Sequence, residues 1–348
     1  MKVKSIPWRA FVVLMAIALL ALAIPFSSGL AAPVAAAPNP PAAGSVPSPS
    51  EVLGFEVGGD YNLADWNQIM TYFQVLDEAS NRVQVQKIGY TSGTRDFAPA
   101  EFALDPQPMI MAIISAPENL AQLDKIKDIQ KRLADPRGLS PAEAERLIGQ
   151  GKTVVMIGCA LHSTEIASTQ MSMMLAYKLA SGKDPVVNEI LDNTVLLLIP
   201  SMNPDGHQME TMWYRKYRAE APDKGWAERG HPWIYSKYAG HDDNRDWFMF
   251  NLVESQNVGR QLYHEWFPQV IYDVHQMGNT HARFFVPPFF DPMNPEIDPL
   301  IIRSQMMFGG LAATELQAAG KEGVVTNAIY DTWWHGGMRL APTYHNMV

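Results

Sequence analysis

Short, almost purely apolar runs recur along this chain, separated by stretches of helical character, and that alternation limits the folds open to it. Met109–Ser115 (MIMAIIS), Thr153–Gly158 (TVVMIG), Thr194–Pro200 (TVLLLIP) and Gln269–Val274 (QVIYDV) each read as a buried strand. Val83–Tyr90 reads as a further strand. Trp66–Ala79 has the pattern of a helix with Ile69, Phe73 and Leu76 on one face. Pro117–Ile148 is charged and helical, with breaks near Pro136 and Gly138. Thr164–Leu179 and Pro299–Ala319 supply two more helices, the second with Ile302, Met306, Leu311 and Leu316 facing inward. The expected class is α/β: a mixed, mainly parallel sheet with helices on both faces. Ligands of such sheets gather at the carboxyl ends of the strands.

Composition sets the outer limits of that fold. The chain has 348 residues, 47% of them hydrophobic and 18% charged, enough for one large domain or two small ones and for a sizeable core. Its N-terminus reads differently from the rest. Lys2, Lys4 and Arg9 precede an unbroken apolar run, Ala10–Ile24, which Pro25 ends and small residues follow. Residues 1–31 are therefore expected to be a secretory signal peptide, the alternative being an uncut anchor. Residues 32–50 are rich in Pro, Ala and Ser and read as a linker, which leaves 51–348 as the folded domain. Removing 1–31 takes away three positive charges and no acid, so the formal charge moves from −9 to −12. An exported chain this acidic has no general attraction for nucleic acid or anionic lipid. No stable membrane association is expected once the signal is gone, and the destination is the periplasm, the cell surface or the medium. Cys159, the single cysteine, excludes an internal disulfide and reads as a packed residue.

Polar residues with chemical potential fall where the strands end. His162 and Glu165 follow the strand TVVMIG, His162 in the loop and Glu165 in the first helical turn, three residues apart. His275 closes QVIYDV and reads either as a packed residue or as a ligand, with Asp273 on the same strand face as a carboxylate that could orient an imidazole. Two histidines and one carboxylate suffice for a zinc ion that keeps one position open for water. Asn203-Pro204-Asp205-Gly206 has the composition of a turn. Arg215 lies in the basic and aromatic run Trp213–Arg218, whose ordinary reading is a solvated face. Asn244 and Arg245 sit in the polar loop Gly240–Trp247 and form either a carboxylate receptor or a loop salt bridge.

The ordered set His162-x-x-Glu165, Asn203-Pro-Asp-Gly206, Arg215, Asn244-Arg245 and His275 resembles the M14 zinc carboxypeptidases, over about Tyr61 to Val348. The lead-in Ile88–Arg95 is similar to that family's early strand and hairpin. The resemblance implies one zinc ion held by His162, Glu165 and His275. It implies that Arg215 polarises the scissile carbonyl and that Asn244 and Arg245 grip the terminal carboxylate of a peptide or protein substrate. Tyr330 resembles the tyrosine that caps the bound C-terminal residue, although the flanking Trp333-Trp334-His335 departs from the family pattern, and a packed aromatic is the other reading. The resemblance also implies a general-base glutamate; no glutamate follows Glu322, so the base and the last elements of the 51–348 catalytic domain are expected to lie after Val348, the domain being truncated at its C-terminus. Two other functions fit the same residues: a zinc amidohydrolase acting on peptidoglycan stem peptides or N-acyl amino acids, and an inactive zinc-binding module.

Overall fold

A computed structural model of the chain describes residues 45–220, 242–278, 282–290, 293–330 and 332–348. The expected signal peptide, most of the linker, the aromatic stretch Trp226–Tyr238 and His281 lie outside these residues. Helix α1 (Pro49–Leu53) is capped by Ser48 in a reciprocal capping box with Glu51. Helix α2 (Trp66–Ala79) buries Ile69, Phe73 and Leu76, as their spacing predicts, and its cap Asp65 accepts from the Gln68 amide.

Five strands form the main sheet: β1 (Val83–Tyr90), β2 (Pro108–Ile114), β3 (Thr153–Cys159), β4 (Thr194–Ile199) and β5 (Val270–Val274), in the order β1-β2-β4-β3-β5. Parallel pairing is confined to β4–β3–β5; β1 pairs antiparallel with β2, and β2 with β4. The sheet is thus mixed, and its parallel half carries the candidate site. Beyond β5, Val348 accepts a hydrogen bond from the Ile271 amide (2.9 Å) and donates one to the Gln269 carbonyl (3.0 Å).

Both faces of the sheet are covered. Alternate strand residues, among them Ile110, Ala112, Ile114, Val155, Ile157, Leu196 and Leu198, share one buried layer with α2 and α5 (Ala167–Ser181). Helices α3 (Leu123–Ala134) and α4 (Pro141–Gln150) precede α5 in the chain. The opposite face carries Met109, Met111, Ile113, Val154, Met156, Val195 and Leu197. They pack against Ile126 of α3 and against Val258, Leu262 and Trp266, from helix α8 (Val253–Arg260) and the π-helical turn Gln261–Trp266 that follows it. Between α5 and α8 lie α6 (Pro185–Asn193), which leads into β4, and α7 (Pro204–Glu220).

Two local expectations are corrected. Asn203-Pro-Asp-Gly is a helix start and not a free turn: Asn203 Oδ1 accepts from the Gly206 amide at 2.9 Å and Pro204 opens α7. The long helix α9 (Pro299–Ala318) buries Ile301, Gly309, Ala312 and Leu316, while Ile302, Met306 and Leu311 are only half-buried. Gly309 sets that rotation, because a Cβ there would stand 1.8 Å from the Pro287 carbonyl oxygen. A two-stranded sheet, β6 (Phe284–Phe285) with β7 (Val324–Val325), lies on either side of α9 in sequence. Among the described residues, no helix is long and apolar enough to cross a membrane.

Candidate metal centre

Strands β3 and β5 are parallel neighbours, with Gly158 opposite Asp273 and Cys159 opposite Val274. Their carboxyl ends therefore deliver His162 and His275 to the same place, and the two imidazole centroids are 4.9 Å apart. Glu165 arrives differently from the expectation. It precedes α5, in a tight turn closed by its own amide on the His162 carbonyl at 3.1 Å. A turn, not a helix face, brings the two side chains together.

The carboxylate of Glu165 faces both rings. Its Oε1 is 2.8 Å from His162 Nδ1 and its Oε2 is 2.9 Å from His275 Nδ1. The outer nitrogens are held by separate acids: His275 Nε2 lies 2.8 Å from Asp273 Oδ2, and His162 Nε2 lies 3.3 Å from Asp242 Oδ1. Asp242 also caps the turn Asp243–Arg245 by accepting from the Asn244 amide at 2.8 Å. Sequence reasoning missed it. The available signal was its place two residues before Asn244, in a loop already rich in polar groups, together with the need of a metal-bound imidazole for an outer partner.

These contacts fix the charges of the cluster. Burial opposes charge on His162, but the hydrogen bonds it donates to Asp242 and Glu165 outweigh it and raise its pKa to about 9. Burial acts the same way on His275, where Asp273 and Glu165 raise the value to about 11. For Glu165, burial favours the neutral acid, yet the two imidazoles bring it down to about 2. Cys159 is fully buried, and burial pushes its thiol well up, which fits a packed residue.

The donor set suits a divalent ion. One ligand atom from each of His162, Glu165 and His275 can be chosen so that all lie within 4.8 Å of one another. Both Nδ1 atoms point at one carboxylate while both Nε2 atoms are backed by others, the outer support that metal-bound histidines use to fix ring orientation. Two imidazoles and one carboxylate form a zinc set of the open, catalytic kind.

The remaining sequence candidates surround this cluster unequally. Asn244 is buried; its Oδ1 accepts from the Met338 amide at 3.0 Å and its Nδ2 is 3.4 Å from His275 Nε2. Arg245 donates to the Asn244 carbonyl at 2.9 Å, approaches Asp242 at 3.3 Å and stacks on Trp334 with its guanidinium carbon 4.3 Å from the ring centroid. Tyr330 is half-buried between Phe285 and Phe289, and burial raises its pKa, with charges on Arg339, Asp273, Glu165 and Arg245 acting on it as well. Arg215 makes its contacts elsewhere. It is tied to Asp65 (2.5 Å), Gln68 (2.8 Å) and the Leu63 carbonyl (3.2 Å) at the start of α2.

Comparison with known proteins agrees with this geometry. The family model for zinc carboxypeptidases of the M14 peptidases matches residues 69–283, more than half of the chain. A zinc carboxypeptidase of Simulium vittatum is 30% identical over 115 residues, 32% of this chain and 33% of that protein. The match therefore spans about a third of the length of that curated relative. Carboxypeptidase A from Helicoverpa armigera has a similar fold, with a TM-score of 0.50 at 15% identity over 85% of this chain and 67% of that one. Thrombin activatable fibrinolysis inhibitor gives a TM-score of 0.50 at 12% identity, over 86% and 67%. With the family model matched over more than half of its length, and with a His/Glu/His group that could hold a metal ion, this chain belongs to the M14 zinc carboxypeptidases.

Proposed function

We propose that the protein is an exported zinc metallocarboxypeptidase that removes residues from the C-termini of peptides or proteins. The observation that carries this reading is the turn of both Nδ1 atoms toward Glu165, 2.8 and 2.9 Å away, while both outer nitrogens are supported by acids. When bound there, zinc lowers the pKa of water toward ~7 and polarises a carbonyl oxygen. His162, Glu165 and His275 would hold it, with Asp242 and Asp273 keeping the two rings from rotating away.

Arg245 is the receptor for the terminal carboxylate in this reading, braced by the Trp334 ring and by the Asn244 carbonyl. Asn244 holds the chain of contacts between that receptor and His275. Tyr330 closes over the bound residue from the aromatic side of the site. Arg215 is assigned to the developing oxyanion, which requires it to exchange Asp65 and Gln68 for substrate; removal of such a donor typically costs about 3 kcal/mol of transition-state stabilisation. Export rests on the basic start and apolar run of residues 1–31.

A peptide and its C-terminal amide, followed by mass spectrometry with the zinc-loaded protein, test this function. Stepwise loss of single C-terminal residues is expected from the free acid only. Arg245→Ala should raise KM for the free acid, with the amide still uncut. Equal cleavage of acid and amide, or internal cuts, would contradict the reading.

A further inference from the structure

The loop that carries Arg245 is tied down by a segment from much later in the chain. The Gly336 carbonyl accepts from the Trp247 amide (3.2 Å), and the Met338 amide donates to Asn244 Oδ1 (3.0 Å), so residues 336–338 hold both flanks of Arg245. Trp334 comes just before this segment, and its indole lies close against it. A Cβ added at Gly336 would stand 2.9 Å from Trp334 Nε1, and one added at Gly337 would stand 2.8 Å from Trp334 Cζ3. The Arg245 guanidinium rests on that indole, its carbon 4.3 Å from the ring centroid.

Arg245 also has a competing partner. Its Nη1 donates to the Asn244 carbonyl at 2.9 Å and stands 3.3 Å from Asp242 Oδ2, while half of the side chain (51%) stays exposed. A guanidinium beside a carboxylate readily closes into a two-pronged pair, with N···O distances of about 2.7–2.9 Å. At 3.3 Å that closure is incomplete. Stacking engages the face of a guanidinium and fixes its plane, while a carboxylate is recognised along its N–H edge. Asp242 meanwhile serves the metal side, 3.3 Å from His162 Nε2 and 2.8 Å from the Asn244 amide.

We propose that Trp334 is a positioning residue: its ring keeps the Arg245 guanidinium from closing onto Asp242 and leaves the N–H edge to the terminal carboxylate of the substrate. This rests on the carboxypeptidase reading of the same site. The test is titration calorimetry with an N-acetylated tripeptide whose last peptide bond is replaced by an uncleavable CH2–CH2 link, and with its C-terminal amide. The proteins are the unaltered chain and its Trp334→Phe, Trp334→Leu and Trp334→Leu/Asp242→Asn variants, all at saturating zinc. The unaltered protein should bind the acid more tightly than the amide. Trp334→Leu keeps apolar bulk without a ring face and should cut that preference about two- to thirtyfold, the range of one cation–aromatic contact. Trp334→Phe should retain most of it. Adding Asp242→Asn to Trp334→Leu should restore part of it, because the competing charge is gone; a ring needed only for packing gives no such recovery.

An acid-to-amide ratio that is the same in the unaltered protein and in Trp334→Leu overturns the inference, and so does a loss that Asp242→Asn does not recover. Hydrolysis is read separately, by mass spectrometry of the ordinary tripeptide. Binding that follows the expected pattern without release of the C-terminal residue keeps the role of Trp334 and overturns the carboxypeptidase reading. Release of that residue with a ratio indifferent to Trp334 does the reverse.

Discussion

His162 and His275 each use both ring nitrogens, one toward Glu165 and one toward a supporting acid. Asp242→Asn and Asp273→Asn keep the shape of these supports and remove their charge. Each should weaken zinc about 10- to 100-fold, measured by competition with a chromophoric chelator; unchanged affinity in both variants would show that the acids do not tune the ligands. The raised values of the two histidines, about 9 and about 11, also fix the sign of the pH dependence. At pH 7 both rings are protonated in the metal-free protein and Glu165, at about 2, is ionised. Zinc must displace two protons, so apparent affinity should fall by up to about two decades for each unit of acidification. Calorimetry in buffers of different ionisation enthalpy counts those protons, and no net release at pH 7 would contradict the assignment. In the metal-free fold the same histidines contribute stability that is complete below their unfolded value, roughly 6.5, and fades as pH rises through their folded values.

At the scale of elements, α9 offers a sharp test. Gly309→Ala should destabilise the protein by about 1–3 kcal/mol, because the new methyl meets the Pro287 carbonyl, which is backbone and yields little. Gly310→Ala, where nothing lies within 4 Å, should be neutral or slightly stabilising. Denaturant midpoints compare the two, and equal effects would mean that α9 is rotated differently. This helix also shows where sequence patterning reaches its limit. Its apolar residues occupy much of its circumference, so periodicity alone chose Ile302, Met306 and Leu311 for the core. The small residues Gly309 and Ala312 face inward because a neighbouring backbone comes close, and hydropathy does not register that. Strands β2, β3 and β4 were legible because nearly every residue in them is apolar. Glu165 was expected in a helix and stands in a turn, yet the spacing of three serves either geometry.

Over the whole molecule, the sequence order of the site residues carried further than the partners they find. Strand adjacency in β4–β3–β5 unites His162 with His275, which are far apart along the chain, and alternation of apolar strands with helices was enough to expect that class of sheet. The direction of β1 and β2 was not legible, because an antiparallel pair and a parallel pair can bury the same apolar run. Nor was the tie between Arg215 and Asp65, a contact across 150 residues of chain. Zinc stoichiometry tests the central claim most directly. The purified protein should hold one zinc ion per chain, and His162→Ala with His275→Ala should hold none while remaining folded by circular dichroism. One equivalent of zinc retained by the folded double variant would contradict the assignment of these histidines as the metal's ligands.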